Sequence, residues 1–269
     1  MSTRLPFARY LEHLVSESEL FANALGGVPA DRPVPTCPDW TAIDLAHHLT
    51  QVQSFWTAVV NGPLLTRDQV QQVDEPACAS TLEQQVDDVR AASAALVAAL
   101  AATPPATPAY TWSTEQTVGF TYRRQALEAL VHRLDAELTA GVRTPMDPQL
   151  CADGVDEALR VMFGGCPPWG RIIPTGGLPV RLFARDTGDA WLVSPARFTG
   201  TDPDEVSHDE PDILVAEADS DVVAPASITA TAEDLLCWLW SRPTLAPVEQ
   251  AGDEAALSAI TQVLEQPIT

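Results

Sequence analysis

The chain has 269 residues, of which 46% are hydrophobic and 19% charged, which is too apolar for disorder and long enough for two folded domains. Its 15 basic residues face 37 acidic ones, and the net charge of −22 argues against nucleic acid and anionic lipid as partners. No stretch approaches the roughly 18 uncharged apolar residues of a membrane span, and MSTRLPFARYLEH has no apolar signal core, so a cytoplasmic protein is expected.

Helical spacing begins at once. Residues 7–25 repeat apolar positions at helical intervals and are closed by Gly26-Gly27, after which VPADRPVPTCPDW reads as a Pro-rich loop. A second helix opens at Thr41, with Asp44 in capping-box position, and runs to Asn61 before Gly62-Pro63. The third starts at Thr81 with Gln84 and stops before Pro104-Pro105; the fourth spans 119–140 and is closed by Gly141. Four helices of this length joined by loops predict a four-helix bundle.

Past Pro145 the texture changes. One more helix is predicted over 147–163, and GGCPPWG breaks it. LPVRLFARD, DAWLVSP, DILVAEA and ASITATA then read as short strands, the first two joined through Thr187-Gly188 as a hairpin. TAEDLLCWLWSR, capped by Thr231 and running to Arg242, and GDEAALSAITQVLEQ read as helices. The expectation is a two-domain α+β chain, with a helical bundle over 1–145 and a small α+β domain over 146–269.

Every basic residue is arginine, which excludes a lysine Schiff base and a P-loop lysine. The cysteines at 37, 78, 151, 166 and 237 are odd in number and include no CxxC pair, so they read as reduced thiols, with Cys37 packed. On the second helix Leu45, Leu49, Val52, Trp56 and Val59 form the apolar stripe. His48 lies within about 60° of its centre and His47 about 160° away, so His48 points in and His47 out. On the fourth, Leu127, Leu130, Val131, Leu134 and Leu138 face the core, with Glu128, His132 and Asp135 as a polar row on the flank.

Glu128 and His132 are one helical turn apart, and with His48 they offer three donors for a divalent cation. Zinc is the usual choice for His₂Glu, and three protein donors leave a position open. Spacing alone describes a solvated helical pair and a bonded core histidine equally well. Asp135 reads either as the carboxylate that orients a ligand imidazole or as a solvated side chain. Trp40, Trp238 and Trp240 read as core or domain-interface residues, and His13 and His208 carry no assignment.

Four segments add to this: CPDWTAIDLAHHLT, RRQALEALVHRLDAEL, DGVDEAL and DLLCWLWSR. In that order they resemble the mycothiol-dependent maleylpyruvate isomerase family over nearly the whole chain. The resemblance implies that the bundle is DinB-like and binds zinc through His48, in W-T-x-x-D-L-x-x-H-L, and through Glu128 and His132, in E-x-x-x-H. It also implies mycothiol as cofactor, with its metal-bound thiolate adding to a cis double bond, and a small-molecule electrophile, a dicarboxylate, as substrate. Arg242, in W-L-x-x-R, matches an arginine implicated in substrate binding, and Arg67 is a second candidate for that task. Two alternatives stay open: a mycothiol S-transferase acting on another electrophile, and a metal- or ligand-binding module without turnover.

Overall fold

The computed structural model describes residues 4–62, 64–218, 222–266 and 268. Pro63 and the first three residues of the N-terminal stretch lie outside that set. The chain divides into two compact units, Pro6–Pro145 and the segment from Met146 onward. Leu5 joins the second unit, its backbone N–H donating to Asp153 Oδ2 (3.2 Å).

The N-terminal unit runs α1 (Phe7–Leu25), β1 (Pro33–Val34), β2 (Cys37–Thr41), α2 (Ala42–Asn61), α3 (Arg67–Val70), α4 (Leu82–Ala102) and α5 (Val118–Ala140). The predicted bundle is present: α1 and α2 each pack against α4 and α5. Its helices begin where local chemistry dictates. Asp44 Oδ2 accepts both the backbone N–H (2.9 Å) and the hydroxyl (2.5 Å) of Thr41, and Thr81 Oγ1 accepts from the N–H of Gln84 (3.3 Å). Gly141 closes α5 at φ 75°, a left-handed conformation that glycine adopts without strain.

The Pro-rich loop holds more order than its composition implied. β1 and β2 form an antiparallel hairpin whose tip is Pro35-Thr36, with Val34 and Cys37 opposite each other. Two strands this short show no alternation to read, and three prolines mask them. On α2 the buried line takes in Gln53 while Val52 stays half-buried. A core position tolerates Gln53 because its amide donates to Ser18 Oγ (2.9 Å), and one turn earlier Gln85 donates to Thr50 Oγ1 (2.9 Å). Arg133 ties α1, α5 and the end of the unit together. Its guanidinium donates to Glu17 (2.8 Å) and to the carbonyls of Thr144 (2.9 Å) and Pro145 (3.1 Å), and it pairs with Glu137 (3.3 Å).

The C-terminal unit opens with α6 (Pro148–Glu157), where Asp147 caps by accepting from the N–H of Leu150 (2.9 Å). The predicted single helix widens into a π-helical segment, Ala158–Phe163. That is where Arg160 reaches both Asp156 (2.7 Å) and the carbonyl of Val215 (2.8 Å), tethering the turn to the sheet. The remaining elements are β3 (Gly170–Pro174), β4 (Val180–Ala184), β5 (Ala190–Thr201), β6 (Ser207–Glu217), β7 (Ala226–Ala230), α7 (Ala232–Leu239), β8 (Glu249–Gly252) and α8 (Glu254–Leu264). β5 is the spine: β6 pairs along one edge, and β4 and β3 pair in turn along the other. β7 continues parallel to β4, and β8 closes antiparallel to β7. The β4–β5 hairpin turns at Gly188 (φ 82°), as Thr187-Gly188 indicated.

Other elements differ from expectation in extent or in being present at all. β5 runs on through Pro195, whose carbonyl accepts the hydroxyl (2.9 Å) and the N–H (3.3 Å) of Thr175. β3 and β8 were not anticipated; β8 is a four-residue edge strand exposed at every position, so no buried face imprinted a period on it. α7 ends at Leu239 rather than Arg242, because Ser241 takes a left-handed φ of 55° and the N–H of Arg242 folds back to the carbonyl of Cys237 (2.7 Å).

Asp212 on β6 is 7% exposed, and burial pushes its carboxyl up to about 6 despite the backbone N–H of Ile213. The unfolded chain then releases this proton first, near the ordinary 3.8. Stability therefore falls as pH rises from the unfolded value to the folded one. Asp212→Asn should raise the thermal midpoint by a few degrees at neutral pH and leave it unchanged near pH 3, as followed by circular dichroism. An equal shift at both pH values would contradict this account.

Candidate metal centre

α2 brings His48 toward α5, and the i to i+4 spacing on α5 stacks Glu128 and His132 on one side. A single carboxylate oxygen is shared: Glu128 Oε1 lies 3.3 Å from His48 Nε2 and 3.2 Å from His132 Nε2. The three donor atoms all fall within 4.8 Å of one another. Zinc–ligand bonds of about 2.0–2.1 Å set tetrahedral edges of about 3.3 Å, so the two spacings to Oε1 match what a four-coordinate cation requires. Among the described residues this is the one grouping of three or more such side chains.

The neighbours restrict what each donor can do. Glu128 Oε2 accepts from Arg124 Nη2 (2.6 Å), which leaves Oε1 facing the imidazoles. Burial alone would raise the Glu128 carboxyl, but Arg124 and His132 outweigh it and hold the group well below the usual carboxylate range. His132 Nδ1 meets Asp135 Oδ2 (3.0 Å), and the Asp135 carboxylate is fully buried. Between these, Asp135 is the orienting carboxylate and not a solvated one. A carboxylate accepts Nδ1–H, so Nε2, the atom aimed at Glu128, is the one that carries the exchangeable proton a cation would displace. Burial would lower His132, yet with the side chains alone Glu128 and Asp135 hold it up to about 9.

Trp40, read from sequence as a core or interface residue, lines this site. Its ring lies 4.8 Å from that of His48 and 6.3 Å from that of His132. The signal was its place one residue ahead of the Thr41 cap, from which a side chain folds back over the first turns of a helix. His47 is half-buried rather than outward in solvent, and its Nδ1 is buried without a hydrogen bond; the cluster takes in His48 alone of the pair. Cys37 packs against the core beside Trp40. Arg67 is exposed at the start of α3. In the other unit Arg242 stands beyond the end of α7, its guanidinium donating to the carbonyl of Trp240 (2.7 Å). His13 sits beside Arg9 (3.3 Å) and His208 beside Asp202 (3.2 Å) and Glu210 (3.7 Å), and neither belongs to the grouping of three found among the described residues.

Fold and cluster together define a helical bundle in which two histidines and a glutamate bring three donor atoms within 4.8 Å of one another, followed by a small α+β unit. The family model described as the mycothiol maleylpyruvate isomerase N-terminal domain matches residues 11–137, and that of the C-terminal domain matches residues 149–259. The chain belongs to the mycothiol-dependent maleylpyruvate isomerase family. Among solved structures it is similar to the mycothiol-dependent maleylpyruvate isomerase, at 11% identity and a TM-score of 0.55, over 93% of this chain and 95% of that one. A histidine-to-alanine mutant of that enzyme gives 10% identity and a TM-score of 0.56 over the same shares. No curated protein matches the chain.

If the three donors hold a cation, the purified protein should carry about one zinc per chain by elemental analysis. His132→Ala should lose it and His47→Ala keep it. Equal zinc in wild type and His132→Ala would contradict the assignment.

Proposed function

We propose that this chain is a zinc-dependent enzyme that uses mycothiol to convert a cis dicarboxylate of the maleylpyruvate type into its trans isomer. The observation that carries the reading is the shared Oε1 of Glu128, spaced from two imidazole nitrogens at the edge length of a tetrahedral site. His48, Glu128 and His132 would hold the ion, whose contribution is to keep a bound thiol deprotonated at neutral pH. Asp135 keeps the Nε2 lone pair of His132 directed inward, and Arg124 keeps Glu128 from turning its second oxygen toward the ion.

The chemistry then balances without an oxidant or reductant. Mycothiol, when bound, would supply a thiolate that adds reversibly to the alkene carbon β to the ketone, the π pair passing to the ketone oxygen and returning when the thiolate leaves after rotation about the former double bond, so that the thiol is regenerated. Five free cysteines fit the reducing cytoplasm in which such a thiol works.

Arg242 would meet a substrate carboxylate by leaving the Trp240 carbonyl it now caps. Arg242→Ala should then lower kcat/KM for the dicarboxylate on the order of 10²-fold, the loss of about 3 kcal/mol of charge-assisted binding. Zinc content and turnover of a neutral electrophile should be unaffected. Equal impairment of both substrates would leave Arg242 with its helix-end role alone.

The reading as a whole is tested by incubating zinc-loaded protein with mycothiol and maleylpyruvate and following both by mass and chromatography. Expected is a product of unchanged mass and new retention, with mycothiol undiminished. A mycothiol conjugate as the end product would make the chain an S-transferase, and no change in either compound would make it a binding module.

A further inference from the structure

We propose that Thr36, at the tip of the β1–β2 hairpin, is a positioning residue that fixes His132 through Asp135. The inference rests on the reading of His132 as a donor and concerns what holds it in place. Its support is geometric. The Thr36 hydroxyl donates to Asp135 Oδ1 (2.5 Å), while the other oxygen of the same carboxylate, Oδ2, meets His132 Nδ1 (3.0 Å). With one oxygen engaged by the hairpin, the plane of the carboxylate is set, and with it the direction of the imidazole that bonds the other oxygen.

The hairpin is itself held. The N–H groups of Ala42 and Ile43 donate to the carbonyls of Arg32 (2.9 Å) and Ala30 (3.1 Å), which ties its base to the first turn of α2, the helix that carries His48. Val34, beside the tip, is 1% exposed within the cluster formed by Phe21, Leu45, Leu49 and Ala136. Trp40, on the returning strand, puts its ring against His48. One short hairpin therefore supports both imidazoles, His48 by ring contact and His132 by a relay of two hydrogen bonds. Pro35 suits this task, since its fixed φ stiffens the turn that presents Thr36.

A residue that only filled space at the tip would be replaced by valine without consequence for His132. The experiment therefore compares wild type, Thr36→Val and Thr36→Ser by zinc competition with a chromophoric chelator. It also follows the His132 Nδ1–H proton by NMR in the metal-free protein, with thermal unfolding as the folding control. Thr36→Val should bind zinc about tenfold more weakly and lose or shift upfield the Nδ1–H resonance, whereas Thr36→Ser, which keeps the hydroxyl, should restore both. Unchanged affinity and resonance in Thr36→Val would overturn the proposal. So would a Thr36→Ser protein as impaired as the valine variant, which would assign the effect to packing. Should the wild type take up no zinc, the metal reading falls by itself and the resonance alone decides. Loss in valine and retention in serine would uphold the relay, and no change would end it.

Discussion

A carboxylate buried between two imidazoles must have its charge answered nearby, and the arrangement around Glu128 follows from that need. An uncompensated ion at such depth costs several kcal/mol after relaxation. Arg124 takes one oxygen and the imidazoles share the other, while Asp135 supplies the opposing charge to His132. Guanidinium, carboxylate, imidazolium and carboxylate thus alternate along α5 and balance. A dication in place of the His132 proton leaves one positive charge over, and an anionic fourth ligand restores neutrality. A thiolate meets that condition and a neutral thiol does not, which supports the reading of the site as a place where a thiol is held ionised.

The same demand explains why α5 is so polar for a helix buried along nearly all its length. Arg133 lies one residue from His132 and points the other way, to Glu17, Glu137 and the carbonyls of Thr144 and Pro145. Burial raises the Glu17 carboxyl even with Arg133 beside it, so pairing offsets only part of the cost of burying that network. α5 is thereby fixed on two sides by charge, through Arg133 toward α1 and through Asp135 toward the β1–β2 hairpin. A donor cluster held to tenths of an ångström needs such rigid support.

How much of this could be read beforehand depended on whether a feature is local and periodic. The i to i+4 relation of Glu128 and His132, the Thr41 and Thr81 caps and the Gly141 terminus are local, and all are in the structure. The inward turn of His48 followed from helical phase alone. What the sequence did not disclose lies in pairings between distant segments. Thr36 and Asp135 are 99 positions apart, and nothing in VPADRPVPTCPDW marks which hydroxyl will find which carboxylate. β3 and β8 escaped notice because edge strands need no buried face. The end of α7 was placed too late because the left-handed turn falls on Ser241, where composition gives no warning and Pro243 offered a plausible stop.

The central claim, that two imidazoles and one carboxylate hold a zinc ion with a position open to mycothiol, is met most directly by X-ray absorption at the zinc edge with and without the thiol. The account predicts a shell of two imidazoles and light oxygen donors in the resting protein, with a sulfur scatterer appearing at about 2.3 Å when mycothiol is added. Spectra that stay superimposable at saturating mycothiol, or a resting shell without imidazole scattering, would contradict it.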